Sequence, residues 1–405
     1  ADVPKYRPSW ASMKWRKAVD GQLRSFVSYI CAQPYAKHIV GIMLGGGHTN
    51  EYDQWFGGEG WPGGLRGDWC AESQARFRLW LREKYENDVE ALRRAWGDEA
   101  VTFADAKIMF DRKGQSPAQR DYRSFHGRQI PETIASWCRS VKLASGGRLT
   151  AGAHLAGRRI FSSPYVDFGG GPGTYFNRVI GGHRRLDFRG ESLRRHKKWF
   201  FEEMDIRTCF YGVGFNRCDT LDKTLAVLKR THAQITTEAA GGYWYEFRSV
   251  TYAHPAIWRL FRRQAEISEL HALGDRSVPT DVCVIDSWAG DLRTNVLNRL
   301  GTAYHSMPLK TLVEQDPGTL PYKVYIFNSV PVVTTEERDF LEAHVFAKGN
   351  WCVFLRPAGR RWPEAEAYEA LANSVALHGI SLAPNPDKRA RGSDTLVLAD
   401  GQPLP

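Results

Sequence analysis

The chain has 405 residues, of which 42% are hydrophobic and 25% are charged, and its formal net charge is +10 at pH 7. This length and composition exclude a disordered chain, a collagen-like repeat and a small disulfide-bonded protein. The positive charge raises the question of a nucleic-acid partner, but the 55 basic residues are scattered among 45 acidic ones and form no stripe interleaved with aromatics. We therefore expect no nucleic-acid partner. We also expect no membrane partner, because no apolar run has the length of a spanning helix.

The seven cysteines are widely spaced and include no Cys-x-x-Cys pair. An odd number at such spacing argues against a disulfide framework and against a structural zinc site. We therefore expect a reducing, cytoplasmic environment and neither a metal nor another cofactor. The sequence begins with Ala1 rather than Met and shows no signal-peptide pattern, so secretion stays open if the true start lies upstream.

The first part of the chain alternates helical periodicity with short apolar runs, a pattern typical of βα units. Helices are predicted at residues 11–33, 77–96, 130–145, 221–238 and 255–273. Strands are predicted at residues 38–44, 149–155, within 165–168, 199–205 and 241–247.

The pattern changes near residue 275, where a Gly- and Pro-containing stretch precedes a second set of elements. Buried strands are predicted at 281–286, 322–327 and 350–355, with helices at roughly 295–301 and 335–347 among them. Such strands indicate a small, doubly wound parallel sheet. The sequence thus predicts two domains, 1–275 and 276–405.

Acidic residues follow several of the predicted strands. Glu51, Glu203 and Glu246 each come at or just after a strand end, and His154 ends another strand. In a barrel of parallel strands, the carboxyl ends of the strands build the active site. Two facing carboxylates can cleave a glycosidic bond, one by donating a proton to the leaving oxygen and the other by attacking the anomeric carbon. One such acid alone is more commonly a helix cap or an ion-pair partner, but three of them among Trp and Tyr residues favour a carbohydrate-cleaving site.

Asn50-Glu51 resembles the Asn-Glu acid/base signature of the clan A glycoside hydrolases. More specifically, Phe77–Tyr85 and Ala91–Gly97 are similar to helices that follow this loop in the family 42 β-galactosidases and their uncharacterised relatives, and Lys198–Thr208 is similar to their strand seven. The similarity runs from about residue 8 to residue 358. It implies an α/β architecture in which a (β/α)8 TIM-barrel catalytic domain precedes a flavodoxin-like (amidotransferase-like) domain.

The resemblance also implies roles for individual residues. Glu51 matches the general acid/base and Glu203 the nucleophile of a retaining exo-β-glycosidase that releases terminal sugars, as a β-galactosidase does. Asn50 matches the residue that bonds the sugar 2-hydroxyl. Glu202 leaves the identity of the nucleophile open. Only one of two successive strand residues can point into a barrel, and Glu203 fits the family spacing better.

Five further residues near predicted strand ends are candidates for substrate binding: His154, Tyr175, Arg178, Trp244 and Glu246. We interpret His154 as a hydrogen-bonding residue rather than a metal ligand, because no second His or acid lies at ligand spacing. Trp244 is predicted either to stack on a sugar or to pack in the core. Glu246 is predicted either to accept hydrogen bonds from sugar hydroxyls or to pair with an arginine.

Residue 38 opens what the resemblance makes the fourth strand of the barrel, so strands four to eight are expected in this chain. An open parallel edge is a liability, and we expect either a fragment or a separate upstream chain that completes the barrel. The resemblance further implies a homo-oligomer, a trimer in particular. The alternative to an enzyme is a carbohydrate-binding or scaffolding relative without turnover.

Overall fold

The computed structural model describes residues 8–46, 68–109, 116–154, 158–173, 178–182, 193, 197–212, 214, 216–238, 240–246, 250–274, 279–286, 297, 301–330, 333–354, 381–383 and 395–397. The chain divides into two compact units, Ala1–Gly171 with Lys197–Glu203 and Pro172–His196 with Met204–Pro405. Among the described residues, no helix combines the length and the apolar composition that crossing a bilayer requires.

The first sheet has five strands in the order β1-β2-β3-β4-β5. They are β1 (Gly41–Leu44), β2 (Thr150–His154), β3 (Phe168–Pro172), β4 (Trp199–Met204) and β5 (Gly241–Trp244). The β1–β2 and β2–β3 pairs are parallel, as expected when a helical crossover connects successive strands. All five predicted strands are therefore present, although β3 begins at Phe168, where the predicted strand ends.

In the part of the chain that the structure describes, six helices accompany these strands: α1 (Met13–Cys31), α2 (Ala71–Lys84), α3 (Val89–Trp96), α4 (Pro117–Ala144), α5 (Leu221–Thr237) and α6 (Pro255–Leu273). Short 3-10 turns lie at Pro34–His38 and Arg158–Ser162. Ser12, Ser116 and Thr220 each accept a hydrogen bond from a first-turn N–H, which explains where α1, α4 and α5 begin. In the first unit, α1 and α4 pack against Leu44, Ala151 and Ala153 of the sheet.

The helix predicted over residues 77–96 is in fact two helices. Glu86 and Asn87 have φ angles of 52° and 60°, so the backbone turns left-handed after α2. Asp88 then caps α3 by accepting a hydrogen bond from the Glu90 N–H at 2.8 Å. The predicted apolar positions of both helices nevertheless share one core, because both helices pack against α4.

The carboxylate of Asp121 in α4 gathers hydrogen bonds from the end of α2 and from α3. It accepts from the Tyr85 hydroxyl at 2.7 Å and from Trp96 Nε1 at 2.9 Å, and it pairs with Lys84 Nζ. Asp121 is only 4% exposed, so these donors replace the water that its charge has lost. Burial, followed by the hydrogen bond to Asp121, raises the pKa of Tyr85. We name these four residues the Asp121 cluster.

A buried histidine makes the first unit sensitive to acid. Burial lowers the pKa of His126, in α4, from 6.5 to about 4. The unfolded chain therefore binds a proton between these pH values that the folded chain does not. The stability contributed by neutral His126 is complete above about pH 6.5 and is lost as the pH falls through about 4. Between pH 7 and pH 4, we expect the urea-derived unfolding free energy to fall by on the order of 3 kcal/mol more in the wild type than in His126→Gln.

The control for this prediction is His38→Gln, because His38 is an exposed histidine of the same unit. Its pH dependence should match that of the wild type. A His126→Gln protein that loses stability with acid as steeply as the wild type would contradict the prediction.

The second sheet is parallel, with four strands in the order β7-β6-β8-β9. Its strands are β6 (Val282–Asp286), β7 (His305–Met307), β8 (Val324–Ser329) and β9 (Trp351–Phe354). Helices α7 (Leu309–Val313) and α8 (Thr335–Leu341) accompany it, with a 3-10 turn at Pro317–Thr319 and a π turn at Glu342–Phe346. Two further strands, β10 (Ser381–Ala383) and β11 (Thr395–Val397), form an antiparallel pair.

Three strands of the second sheet were predicted, and β7 was not, because it has only three residues and two of them are polar. Most of the helix predicted at 295–301 lies outside the described residues. The two sheets use residues 41–244 and 282–354, respectively. The domain boundary near residue 275 stays a prediction.

Candidate active site

The two faces of the first sheet carry different kinds of side chain. Ala151 and Ala153 of β2 and Leu44 of β1 pack toward α1 and α4. Because successive strand residues point to opposite faces, Met43 and His154 lie on the other side of the sheet. We call this side the inner face.

Alternation along β4 separates the two adjacent glutamates. Met204 packs against Ile235 of α5, so β4 turns Met204 and Glu202 toward the helices. Glu202 is 0% exposed. Phe201 and Glu203 lie on the opposite, inner face. The candidates for the nucleophile therefore differ in position: Glu202 is enclosed on the helix side of the sheet, and Glu203 lies on the inner face.

The inner face brings His154 and Glu203 into contact. Nε2 of His154 lies 3.1 Å from Oε2 of Glu203, and their side chains are 8% and 13% exposed. His154 is the last residue of β2 and Glu203 is the next-to-last residue of β4, with β3 between them. The contact thus reaches across one strand, at the carboxyl end of the sheet.

Glycines in β3 make this approach across the strand possible. Gly170 is in register with His154. A Cβ atom at Gly170 would lie 2.9 Å from Met43 Cε and 3.3 Å from the Phe201 carbonyl oxygen. A side chain here would require the end of Met43 to move and would lie tightly against the Phe201 carbonyl, so glycine keeps the space over β3 open for side chains from β1, β2 and β4.

Asn50, Glu51 and Tyr175 lie outside the described residues. Where the described chain resumes after Asn50-Glu51, Asp68 is held by several contacts. Its N–H donates to the Tyr122 hydroxyl at 3.0 Å, and its carboxylate accepts from the Ser9 hydroxyl and from the Cys70 N–H at 3.3 Å. The chain that follows the predicted acid/base loop is therefore attached to α4.

Arg178, in the second unit, is a buried ion-pair partner. Its Nη1 pairs with the Asp205 carboxylate and donates to the Asp205 carbonyl oxygen at 3.0 Å, and its Nη2 donates to the Gly173 carbonyl oxygen at 2.9 Å. Asp205 comes two positions after Glu203 in the sequence. The guanidinium thus fixes the backbone beyond β4, and its predicted contact with substrate stays a prediction.

Trp244 and Glu246 have local partners in the second unit. The Trp244 ring stacks on Phe261 of α6 with a centroid separation of 4.6 Å, which is the core-packing role that the sequence left open beside sugar stacking. An oxygen of the exposed Glu246 accepts a hydrogen bond from the Thr251 N–H at 3.1 Å. Sugar binding by these two residues stays a prediction.

Aromatic residues beside the predicted ones were missed by the sequence reasoning. Trp199 is 66% exposed and shares the face of β4 that carries Phe201 and Glu203. Tyr243 of β5 and Tyr245, the residue after the strand, are both exposed, and alternation places them on the opposite side from Trp244. Alternation along β4 would have identified Trp199 once Glu203 was placed on the inner face, and alternation around β5 would have identified the two tyrosines once Trp244 was assigned to the core.

Among the described residues, no three His, Cys, Asp or Glu side chains come together in a group that could hold a metal ion. The chemistry that the inner face offers is that of a carboxylate in contact with an imidazole.

No protein-family model and no curated protein matches the chain. Solved structures are similar to it. A β-galactosidase from the psychrophilic Marinomonas ef1 matches with a TM-score of 0.61 and 15% identity, over 98% of this chain and 70% of that one. A catalytic mutant of a GH42 β-galactosidase from G. stearothermophilus matches with a TM-score of 0.54 and 11% identity, over 96% of this chain. The chain spans 63% of the length of that second protein.

These similarities confirm, at the level of fold, the resemblance that the sequence motifs carry. The α/β arrangement around β1–β5 is consistent with part of a barrel of the TIM type, the fold of these similar structures. The chain shares the fold of the GH42 β-galactosidases of clan A.

Proposed function

We propose that the chain is a retaining exo-β-glycosidase that hydrolyses terminal non-reducing sugars, β-galactosides in particular. The observation that carries the proposal is the position of Glu203 on the inner face, at the carboxyl end of β4 and in contact with His154. In barrels of parallel strands this end holds the active site. The similar solved structures include β-galactosidases, which supports the choice of sugar.

The proposed reaction has two steps. In the first, a Glu203 oxygen attacks the anomeric carbon while Glu51 donates a proton to the leaving oxygen, so the glycosidic bond breaks and a glycosyl ester forms. In the second, Glu51 takes a proton from water, the water oxygen attacks the same carbon, and the Glu203 carboxylate leaves. Two displacements restore the original configuration. Asn50 would bond the 2-hydroxyl of the sugar in both transition states.

Trapping the ester tests this function directly. We expect the purified protein to hydrolyse aryl β-galactosides, with the β-anomer as the first product seen by NMR. Incubation with 2-deoxy-2-fluoro-β-galactosyl fluoride should release fluoride and leave one fluorosugar on the peptide that contains Glu203, as located by mass spectrometry. A first product of α configuration, or a label on Glu202, would contradict the proposal. Sugar binding without any hydrolysis would favour the scaffolding alternative.

For residues 276–405 we propose a flavodoxin-like domain that supports self-association into a homo-oligomer such as a trimer. The support for the flavodoxin-like fold is the strand order β7-β6-β8-β9. In this order β6, the first of the four strands along the chain, has β7 on one side and β8 followed by β9 on the other. Flavodoxin-like sheets begin with the same order. Size-exclusion chromatography with light scattering of the purified protein tests the oligomer.

A further inference from the structure

The contact between His154 and Glu203 determines which atom carries the proton. An ionised carboxylate oxygen can only accept a hydrogen bond, so when Glu203 is ionised, Nε2 of His154 at 3.1 Å is the donor. This bond is strongest when the carboxylate is ionised, and the ionised carboxylate is the form that attacks an anomeric carbon. Both side chains are largely enclosed, where water competes little for the donor.

The same bond restrains the geometry of Glu203. A carboxylate at the end of a flexible side chain can rotate about its last bond, and a donor on one oxygen stops that rotation. Such restraint matters because misplacement of a reacting atom by about 1 Å can lower a rate by about 10²-fold.

The fold provides for this contact over a long sequence separation. His154 and Glu203 are 49 positions apart, and the strand between them carries glycine at the position in register with His154. A side chain at Gly170 would displace the end of Met43, which reaches over the inner face from β1, so glycine at this position keeps the approach open. The imidazole belongs to the last residue of β2, so the sheet and not a loop holds it in place.

We propose that His154 is a positioning residue for the nucleophile: it donates from Nε2 to Glu203 and holds the carboxylate in the orientation for attack. This inference rests on the proposed function. In the attack, the bond from Glu203 to the anomeric carbon forms, the bond to the leaving oxygen breaks and Glu51 supplies the proton, while His154 keeps its own proton. His154 thus acts through Glu203 and not on the sugar.

The test separates positioning from sugar binding by measuring inactivation by 2-deoxy-2-fluoro-β-galactosyl fluoride. His154→Leu removes the donor, and His154→Gln keeps an N–H donor. We expect His154→Leu to lower the inactivation rate constant kinact by about 10²-fold with the binding constant KI unchanged. His154→Gln should recover much of kinact. A raised KI with unchanged kinact, or equal values for both variants, would overturn the inference.

A second measurement does not depend on turnover. In protein with ¹⁵N-labelled histidine, we expect a downfield, exchange-protected ring N–H resonance that disappears in His154→Gln and shifts in Glu203→Gln. Its absence from the wild type would overturn the inference. If Glu203 is labelled and required but His154→Leu leaves kinact unchanged, only the positioning role fails. If no ester forms on Glu203, the proposed function fails, whatever the resonance shows.

Discussion

Replacing Glu203 by glutamine is expected to lower kcat for an aryl β-galactoside by about 10⁴-fold or more, the scale of loss seen when a covalent nucleophile is removed. Glutamine has nearly the same shape and can still accept a hydrogen bond from His154, so the inner face should keep its structure. What it lacks is a charged oxygen that can form a glycosyl ester. Steady-state kinetics with a dinitrophenyl β-galactoside measure the loss.

Glu202→Gln is the matched control, because it makes the same chemical change one residue away. Glu202 is on the helix side of β4 and is fully enclosed. We expect this variant to change the stability of the protein while most of kcat remains. A large loss of kcat in Glu202→Gln with normal activity in Glu203→Gln would reverse the assignment of the nucleophile.

Azide rescue distinguishes the roles of the two proposed carboxylates. In Glu203→Ala, azide can attack the anomeric carbon from the side that the carboxylate has vacated, and the aryl oxide leaves. The product should be the α-galactosyl azide. In Glu51→Ala, Glu203 still forms the ester and azide then displaces it, so the β-galactosyl azide is expected. The opposite stereochemistry in either variant would contradict the assigned role.

Asp121→Asn is expected to lower the free energy of unfolding by about 2–3 kcal/mol, the largest stability effect of a single isosteric change that we predict. The amide carries no charge for Lys84 and weakens the hydrogen bonds from Tyr85 and Trp96, all of which converge on a carboxylate that is almost completely enclosed. Lys84 is itself 40% exposed, and water can solvate its ammonium group in the variant, which keeps the loss below that of a fully buried pair. Urea unfolding at pH 7 measures the change.

Asp105→Asn makes the same substitution at an exposed position of the first unit and should cost less than about 0.5 kcal/mol. A double-mutant cycle with Trp96→Phe then isolates the coupling to one donor. Equal losses in Asp121→Asn and Asp105→Asn would show that the Asp121 cluster contributes little to folding.

The strands of the first sheet could be predicted because each is a short apolar run that ends in Gly, His or an acid. The alternation of side chains along a strand also predicted that Glu202 and Glu203 face opposite sides of the sheet. The sequence could not tell which side is the inner one, because that depends on a distant partner: Ile235 of α5 contacts Met204 and so turns Glu203 away from the helices.

Other features depend on backbone geometry or on long-range pairing and could not be predicted. Glu86 and Asn87 adopt left-handed backbone conformations between α2 and α3. Because neither residue is a glycine, the sequence gives no signal of this turn. Trp244 and Tyr243 are equally aromatic, and only the stacking on Phe261 shows which one faces the core. The contact between His154 and Glu203 could not be predicted either, because it depends on the register in which the strands pair.

The stretches that carry the sequence resemblance to the family 42 β-galactosidases include Lys84, Tyr85 and Trp96, and these three side chains meet at Asp121. Because these side chains are engaged with Asp121, we expect them to stabilise the fold and not to take part in bond cleavage. A homologue that lacks both Glu51 and Glu203 could keep all of these residues, and so could a domain of the same fold that has another function. Sequence searches that rely on these residues would therefore find catalytically active and inactive homologues alike. We expect the two groups to differ in the residues at positions 51 and 203.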